Sequence, residues 1–357
     1  MLLNSISLTH FRSFPKSHFD FDGQTIAISG LNGSGKTNLL EAIYLLASAK
    51  SFRADVEEEM IQETQEVGHV KGKLYSHDHE KKEIEIVLTR GQVGGEKVSR
   101  KKFYVNGVSK QVTNFVGNLK AVIFGPWDLD LITGSPGLRR RYLDSVLIQT
   151  DREYHRALIS YEKGLRQRNK LLEDIREKGA SRHQLIFWNK LLIKNGNYLT
   201  NKREEFLSFL NLFKPFLNWQ LSFLSRYDRS SISETRLQQY SQEEVAAGVT
   251  LVGPHRDNVE FFLERDDHNI DLSKFSSRGE QRLGVLWLKL SELEFLASSQ
   301  ESRPDRPVLL LDDIFSELDH RHRELVITTI GKQQTFITGA DDHLFPNFNS
   351  KIQLIRL

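Results

Sequence analysis

The chain has 357 residues, 27% of them charged and of both signs, with a formal net charge of +2. That size suits two lobes, and the apolar content is ample for a buried core. The lack of any cysteine excludes disulfides, thiolate zinc sites and a cysteine nucleophile. Met1-Leu2-Leu3-Asn4-Ser5 has neither the charged nor the apolar region of a secretory leader, and no apolar run approaches bilayer length, so a cytoplasmic protein with no membrane contact is expected.

In chain order, Leu2–Leu8 and Ser17–Phe21 read as short strands. Thr25-Ile26-Ala27-Ile28-Ser29 is apolar and β-rich. It runs directly into Gly30-Leu31-Asn32-Gly33-Ser34-Gly35-Lys36-Thr37-Asn38, after which Leu39, Leu40, Ile43, Leu46 and Ala47 recur at helical spacing. Strand, glycine loop and helix are the context that a complete G-x-x-x-x-G-K-T phosphate loop requires. Its glycines let backbone N–H groups converge on phosphates, aided by the positive end of the helix. Lys36 would place its charge on the γ-phosphate and Thr37 would offer a hydroxyl to Mg²⁺.

Residues 68–124 read as a small antiparallel sheet: Glu83–Ile86 alternates, Asn106-Gly107 makes a hairpin turn, and Ala121–Phe124 is a further strand stopped by Gly125-Pro126. From Leu138 to Ala247 the composition shifts, with three glycines (Gly164, Gly179, Gly196) and one proline (Pro215). Apolar residues such as Tyr154, Leu158, Tyr161, Leu165 and Leu172 share one helical face. This predicts an arm of about three to five helices, too interrupted for a long coiled coil. Strands return at Val259–Leu263, Val308–Leu311, Gln334–Thr338 and Lys351–Leu357. The expected organisation is an ATPase head in two segments, 1–124 and 248–357, split by a helical arm at 125–247.

Val308-Leu309-Leu310-Leu311-Asp312-Asp313 is a buried strand ending in two acids. Asp312 would hold Mg²⁺, directly or through water, and Asp313 would orient or deprotonate an attacking water. Upstream, Ser276-Ser277-Arg278-Gly279-Glu280 opens a helix through Leu283, Leu286, Trp287 and Leu290. Alone it is a serine N-cap; in this order it resembles the signature segment of ABC-type ATPases, whose serine touches the γ-phosphate held by the other subunit. Ser316-Glu317-Leu318-Asp319 matches the D-loop of that class. The strand ending Phe336-Ile337-Thr338-Gly339 carries no switch histidine, which leaves Thr338 as the polar residue there. Arg100-Lys101-Lys102 and Arg139-Arg140-Arg141 are local basic patches, most simply read as solvated faces. His77-Asp78-His79-Glu80 reads as a polar hairpin turn before a metal site.

With these motifs assembled, the chain resembles the RecF family of bacterial recombinational repair. The resemblance runs through Leu8–Phe14, Gly30–Ala42, Ser51-Phe52-Arg53, Gly134-Ser135-Pro136, Arg139–Asp144, Gln167-Arg168-Asn169, Gly253-Pro254-His255-Arg256-Asp257 and Leu311–Asp319. Gly125-Pro126-Trp127-Asp128 departs from the family's pattern. The resemblance implies an α/β P-loop head of ABC/SMC type with a mixed sheet, without a long coiled coil. It further implies ATP and Mg²⁺ as cofactors, an ATP-dependent homodimer, slow hydrolysis, binding to double-stranded and gapped DNA, and RecA loading with RecR and RecO. On that basis the expected catalytic residues are Lys36 and Asp313, and the expected ATP contacts are Gly30 to Asn38. Thr37 and Asp312 would hold Mg²⁺, Ser277, Gly279 and Glu280 would reach the partner's ATP, and Arg53, Arg139, Arg140 and Arg141 would meet DNA. A transporter ATPase would keep Lys36 and Asp312 within one compact domain. An ATPase-nuclease would need a further acidic site, for which the stretch after Asp313 leaves no room, and a structural tether would need a longer coiled coil.

Overall fold

A computed structural model describes residues 2–75, 80–215, 221–265, 268–298, 306–317, 320–340 and 352–357. The chain divides into two compact units, Met1–Asp128 with Glu292–Leu357, and Leu129–Ser291.

The first unit is built on two sheets. Strands β1 (Leu2–Phe11), β2 (Phe14–Asp20), β4 (Val67–Tyr75), β5 (Lys81–Thr89), β8 (Lys101–Val105) and β9 (Val108–Lys110) form an antiparallel sheet in the order β2-β1-β4-β5-β8-β9. A short ribbon, β6 (Gln92–Val93) with β7 (Glu96–Lys97), extends from it in sequence. The alternation in these strands buries Val70, Leu74, Ile84, Ile86 and Leu88, and leaves the alternate residues between them intermediate or exposed. Asn106 and Gly107 turn β8 into β9 with positive φ at both positions, as the Asn-Gly pair predicts.

The second sheet is wholly parallel: β10 (Ala121–Phe124), β14 (Val308–Leu311), β15 (Thr335–Gly339), β3 (Thr25–Ser29) and β16 (Ile352–Arg356), in the order β10-β14-β15-β3-β16. Ala121–Phe124 therefore does not join the antiparallel sheet expected for residues 68–124. All four of its residues are buried and it pairs with β14. A continuous apolar strand suits a sheet covered on both faces, whereas the antiparallel strands alternate. Helix α1 (Lys36–Ser48) packs on strands of both sheets. This explains why every residue from Leu39 to Ser48 is buried, and not only one face. The short helices α2 (Val112–Phe115), α10 (Ile314–Glu317) and α11 (His320–Thr329) also belong to this unit.

The second unit opens with α3 (Asp130–Thr133) and α4 (Pro136–Leu147). Two long helices follow, α5 (Arg152–Lys178) and α6 (Leu185–Leu212). Asp151 caps α5 by accepting from the Tyr154 N–H, and Gly179 ends it in the left-handed conformation. Hydrogen bonds from Tyr198 to Asp151 and from Arg168 to Asn189 show the two helices running antiparallel. Helices α7 (Glu234–Gln239), α8 (Ser241–Ala247) and the start of α9 (Arg278–Ser298) complete the helical part. The unit also holds an antiparallel sheet, β11 (Ser222–Asp228), β12 (Asn258–Arg265) and β13 (His268–Asp271). Two expectations thus differ from the structure. β11 lies in a stretch whose composition predicts helix, and β12 and β13 group with the arm although the sequence places residues from 248 onward in the head. The cause is pairing: β12 meets β11 along its length, so the arm keeps both. No helix among the described residues is long and apolar enough to cross a membrane.

Candidate functional site

The phosphate loop leaves the end of β3, whose five residues are all buried. Gly35 is the N-cap of α1, in the left-handed region and without a side-chain cap, so the first N–H groups of the helix remain available to an anion. A Cβ on Gly35 would stand 2.9 Å from the Phe14 ring and 3.0 Å from Ser13 Oγ. A glycine is therefore required by both conformation and space. The Lys36 ammonium donates to the carbonyls of Gly30 (2.6 Å) and Leu31 (3.0 Å), folded over the loop. Ser34 Oγ is buried with no hydrogen-bond partner among the described residues, an orphan that a phosphate oxygen would satisfy.

Thr37 joins this loop to the acidic strand end. Its hydroxyl lies 2.9 and 3.1 Å from the two carboxylate oxygens of Asp312. Thr338, at the end of the neighbouring parallel strand β15, donates to Asp312 Oδ1 at 2.7 Å. The same Thr338 oxygen accepts the backbone N–H of Asp313 at 2.9 Å. Asp313 needs that hold, because its φ of 49° is in the left-handed region. The β14 turn is thus clamped by one hydroxyl from β15. Burial raises the Asp312 carboxyl above its ordinary value; Thr338 and Thr37 oppose this by hydrogen bonding, Asp313 adds to it and Arg53 offsets it. A buried carboxylate that accepts from two hydroxyls and, among the described residues, from no cation could hold a hard metal ion, to which the Thr37 hydroxyl beside it would add a second oxygen.

Next to the loop, Asn38 Nδ2 donates to Ser13 Oγ (2.9 Å), and Arg53 Nη1 donates to Asn38 Oδ1 (3.1 Å). Arg53 therefore sits at the edge of the phosphate loop. Its segment is tied down through Ser51, whose hydroxyl donates to Glu41 Oε1. Glu41 is fully buried in α1 and receives Arg12 Nε at 2.9 Å and Nη2 at 2.7 Å. Phe52 stacks on Trp127, with ring centroids 4.7 Å apart. The Arg12–Glu41–Ser51 tie has a sequence signal, a lone glutamate inside the apolar run Leu39–Ala47. A buried acid there must find a cation.

The signature segment belongs to the other unit. Ser277 caps α9 in a reciprocal box: Ser277 Oγ accepts the Glu280 N–H (3.3 Å), and Glu280 Oε2 accepts from Ser277 N (2.8 Å) and Oγ (3.0 Å). The Ser277 N–H is the first cause that holds the Glu280 carboxyl below its ordinary value. Ser277 and Gly279 are exposed, as is Phe275, and Ser276 Oγ is buried without a partner. Of the three arginines in α4, Arg139 donates to the Gly134 carbonyl and Asn258, and Arg140 donates to the Asp257 carbonyl. Arg141 is exposed.

The Gln167–Asn169 and Gly253–Asp257 segments prove to be parts of buried polar networks in the arm. Asp257 accepts from Arg203 (2.8 Å), Tyr227 and the Ser230 N–H (2.8 Å), while Arg203 also reaches Asp144 at 2.8 Å. Arg168 is shared among Glu244, Thr250 and Asn189. His255 Nε2 donates to the Thr250 carbonyl and Nδ1 accepts from Tyr161, and burial brings the imidazole down to about 4. Arg203 had no sequence signal beyond its helical position. His77, Asp78 and His79, and Leu318 and Asp319 of the D-loop segment, lie outside the described residues.

A family model described as the RecF/RecN/SMC N terminal domain matches residues 2–356. The DNA replication and repair protein RecF of Thermomicrobium roseum is 35% identical, covering 100% of this chain and 98% of the relative. That of Herpetosiphon aurantiacus is 37% identical, covering 99% and 97%. A solved structure of the recombination mediator protein RecF with ATP, in the RecFOR pathway, aligns with a TM-score of 0.87 at 30% identity, covering 99% of this chain and 95% of that one. An SMC head bound to the C-terminal winged-helix domain of ScpA aligns at 0.54 with 17% identity, covering 100% and 94%, a likeness of fold alone.

Proposed function

The chain belongs to the RecF family of DNA replication and repair proteins, with the P-loop head fold of ABC/SMC ATPases, and on that premise we propose an ATP-switched, DNA-binding dimer of recombinational repair. The observation that carries this reading is the Thr37–Asp312–Thr338–Asp313 constellation beside the phosphate loop.

ATP would lie along Gly30–Asn38, with its phosphates on the loop N–H groups and on Ser34 Oγ. Lys36 would exchange two carbonyl partners for phosphate oxygens, a change to stronger, charge-assisted bonds. Thr37 and Asp312 would hold Mg²⁺, which supplies Lewis-acid neutralisation of phosphate charge. Asp313 would orient or deprotonate the attacking water, held in place by Thr338. Hydrolysis would be slow, as expected of a switch.

ATP can favour a dimer only through contacts that the monomer lacks. Ser277, Gly279 and Glu280 would supply them to the partner's nucleotide, with the Ser277 hydroxyl leaving Glu280 for a phosphate oxygen. Dimerisation would present basic surfaces to duplex or gapped DNA. Arg53 and Arg141 remain candidate contacts, while Arg139 and Arg140 would act chiefly within the arm. With RecO and RecR the dimer would aid RecA loading at gaps, a role in line with the RecFOR pathway of the similar structures.

The test is a gel shift on duplex DNA with and without ATP, at several salt concentrations. The reading expects retention that requires ATP and weakens steeply with salt. Equal binding without nucleotide, or none with it, would overturn it.

A further inference from the structure

Helix α5 buries one face, including Tyr154, Ala157, Leu158, Tyr161, Gly164, Arg168, Leu171 and Leu172. At about 100° per residue, Arg152, Arg156, Ile159, Lys163, Arg166 and Lys170 fall within about 40° of one line on the opposite side. All six are exposed, and five are cations. None of the five forms an ion pair among the described residues, whereas the same helix pairs Arg176 with Glu177 and Lys178 with Asp174. Beyond Lys170 the line turns acidic, at Asp174 and Glu177, so the basic stretch has a defined end. It is about 27 Å long at about 1.5 Å per residue.

This arrangement opposes the stability of the helix itself. Arg152 occupies the first turn, where the helix dipole favours acids. Arg152 with Arg156, Lys163 with Arg166 and Arg166 with Lys170 are like-charge neighbours three or four residues apart, which repel. A solvated face would intersperse acids on the same line. A straight row of exposed cations that forms no ion pair among the described residues is instead the complement of a regular polyanion. The three guanidinium forks suit phosphate oxygens. No aromatic side chain lies in the row, so it offers no platform for stacking unpaired bases.

We propose that the Arg152–Lys170 face of α5 is a phosphate-backbone docking surface for double-stranded DNA, read without sequence preference. Its length spans about eight base-pair steps at about 3.4 Å each. The proposal rests on the DNA-binding reading above and assigns that function to a surface separate from Arg53 and the Arg139–Arg141 cluster. An acidic protein partner is the competing occupant.

The test uses the full chain with ATP and Mg²⁺, and a labelled duplex followed by fluorescence anisotropy across a salt series. One variant carries Arg152→Gln, Arg156→Gln, Lys163→Gln, Arg166→Gln and Lys170→Gln. The control neutralises five arm cations that are ion-paired, at Arg176, Lys178, Lys202, Arg229 and Lys274. Net charge then changes equally in both. Each phosphate contact contributes about 0.9 to the slope of log K against log salt. The stripe variant is expected to lose about two to four units of that slope and at least tenfold in affinity at low salt, with nucleotide binding intact. The control keeps the wild-type slope. An unchanged slope in the stripe variant, with wild-type DNA binding normal, overturns the proposal and points to a protein occupant. Equal losses in both variants also overturn it, because net charge then suffices. A wild-type chain that binds no duplex overturns the broader reading and this surface with it.

Discussion

Thr338→Val replaces a hydroxyl by a methyl of the same shape at the point where two strand ends meet. The change removes the bond to Asp312 Oδ1 and the acceptor for the Asp313 N–H. The buried Asp312 carboxylate keeps Thr37 but loses its shorter bond, and the Asp313 N–H loses the Thr338 oxygen, at about 1–3 kcal/mol each. Asp313, at φ 49°, then has less to hold it in a conformation that itself costs about 1–3 kcal/mol. If about 2–3 kcal/mol of this reaches the transition state, turnover falls by about 30–150-fold. ATP binding changes little, because the phosphate loop does not use Thr338. The assay is steady-state phosphate release together with nucleotide affinity measured by titration. Thr338→Ser keeps the hydroxyl and should recover most of the rate, which separates positioning from packing. Turnover of Thr338→Val within about threefold of wild type would refute the clamp.

Asp313→Asn should bind ATP as the wild type does and lose turnover, seen as absent phosphate release with normal titration. Ser277→Arg should leave ATP binding by the monomer intact and block ATP-driven dimers in sedimentation; loss of nucleotide binding would show that Ser277 acts within its own chain. Asp257→Leu leaves Arg203 with one buried acid partner fewer, and about 3–5 kcal/mol of stability should be lost in denaturant unfolding. The His255 imidazole, at about 4 in the fold against an ordinary 6.5, binds fewer protons folded than unfolded between those values. Its contribution, about 3 kcal/mol, is therefore complete above pH 6.5 and lost as pH falls toward 4. His255→Asn should flatten the pH dependence of unfolding in that window, and an unchanged slope would remove this group from the account.

The local chemistry of the head was legible because it depends on short spacings. Strand, glycine loop and helix follow one another directly, and a run of four apolar residues before two acids can be read without knowing its neighbours. Sequence proximity places Ala121–Phe124 with the hairpins before it, whereas its fully apolar pattern matches that of Val308–Leu311, its partner in the parallel sheet. The arm boundary was less legible. β11 and β12 pair across a long sequence gap, and the alternation in Ser222–Asp228 is too short to outweigh the helical composition around it. The links among Thr338, Asp312 and Asp313, and those of Arg203 with Asp144 and Asp257, depend on tertiary proximity that no spacing encodes. The α5 stripe is present in the sequence at helical spacing; the exposure of its five cations and the absence of ion pairs to them among the described residues give it meaning.

In the proposed dimer, each phosphate loop is an incomplete site until a second copy of the chain supplies Ser277. Light scattering of the Asp313→Asn chain, with ATP and Mg²⁺ and no DNA, tests this directly, because hydrolysis would no longer remove the ligand. The expected result is twice the chain mass with ATP, and the monomer mass without ATP or when Lys36→Ala is added. A monomer under all three conditions, or a dimer that persists without nucleotide, would contradict it.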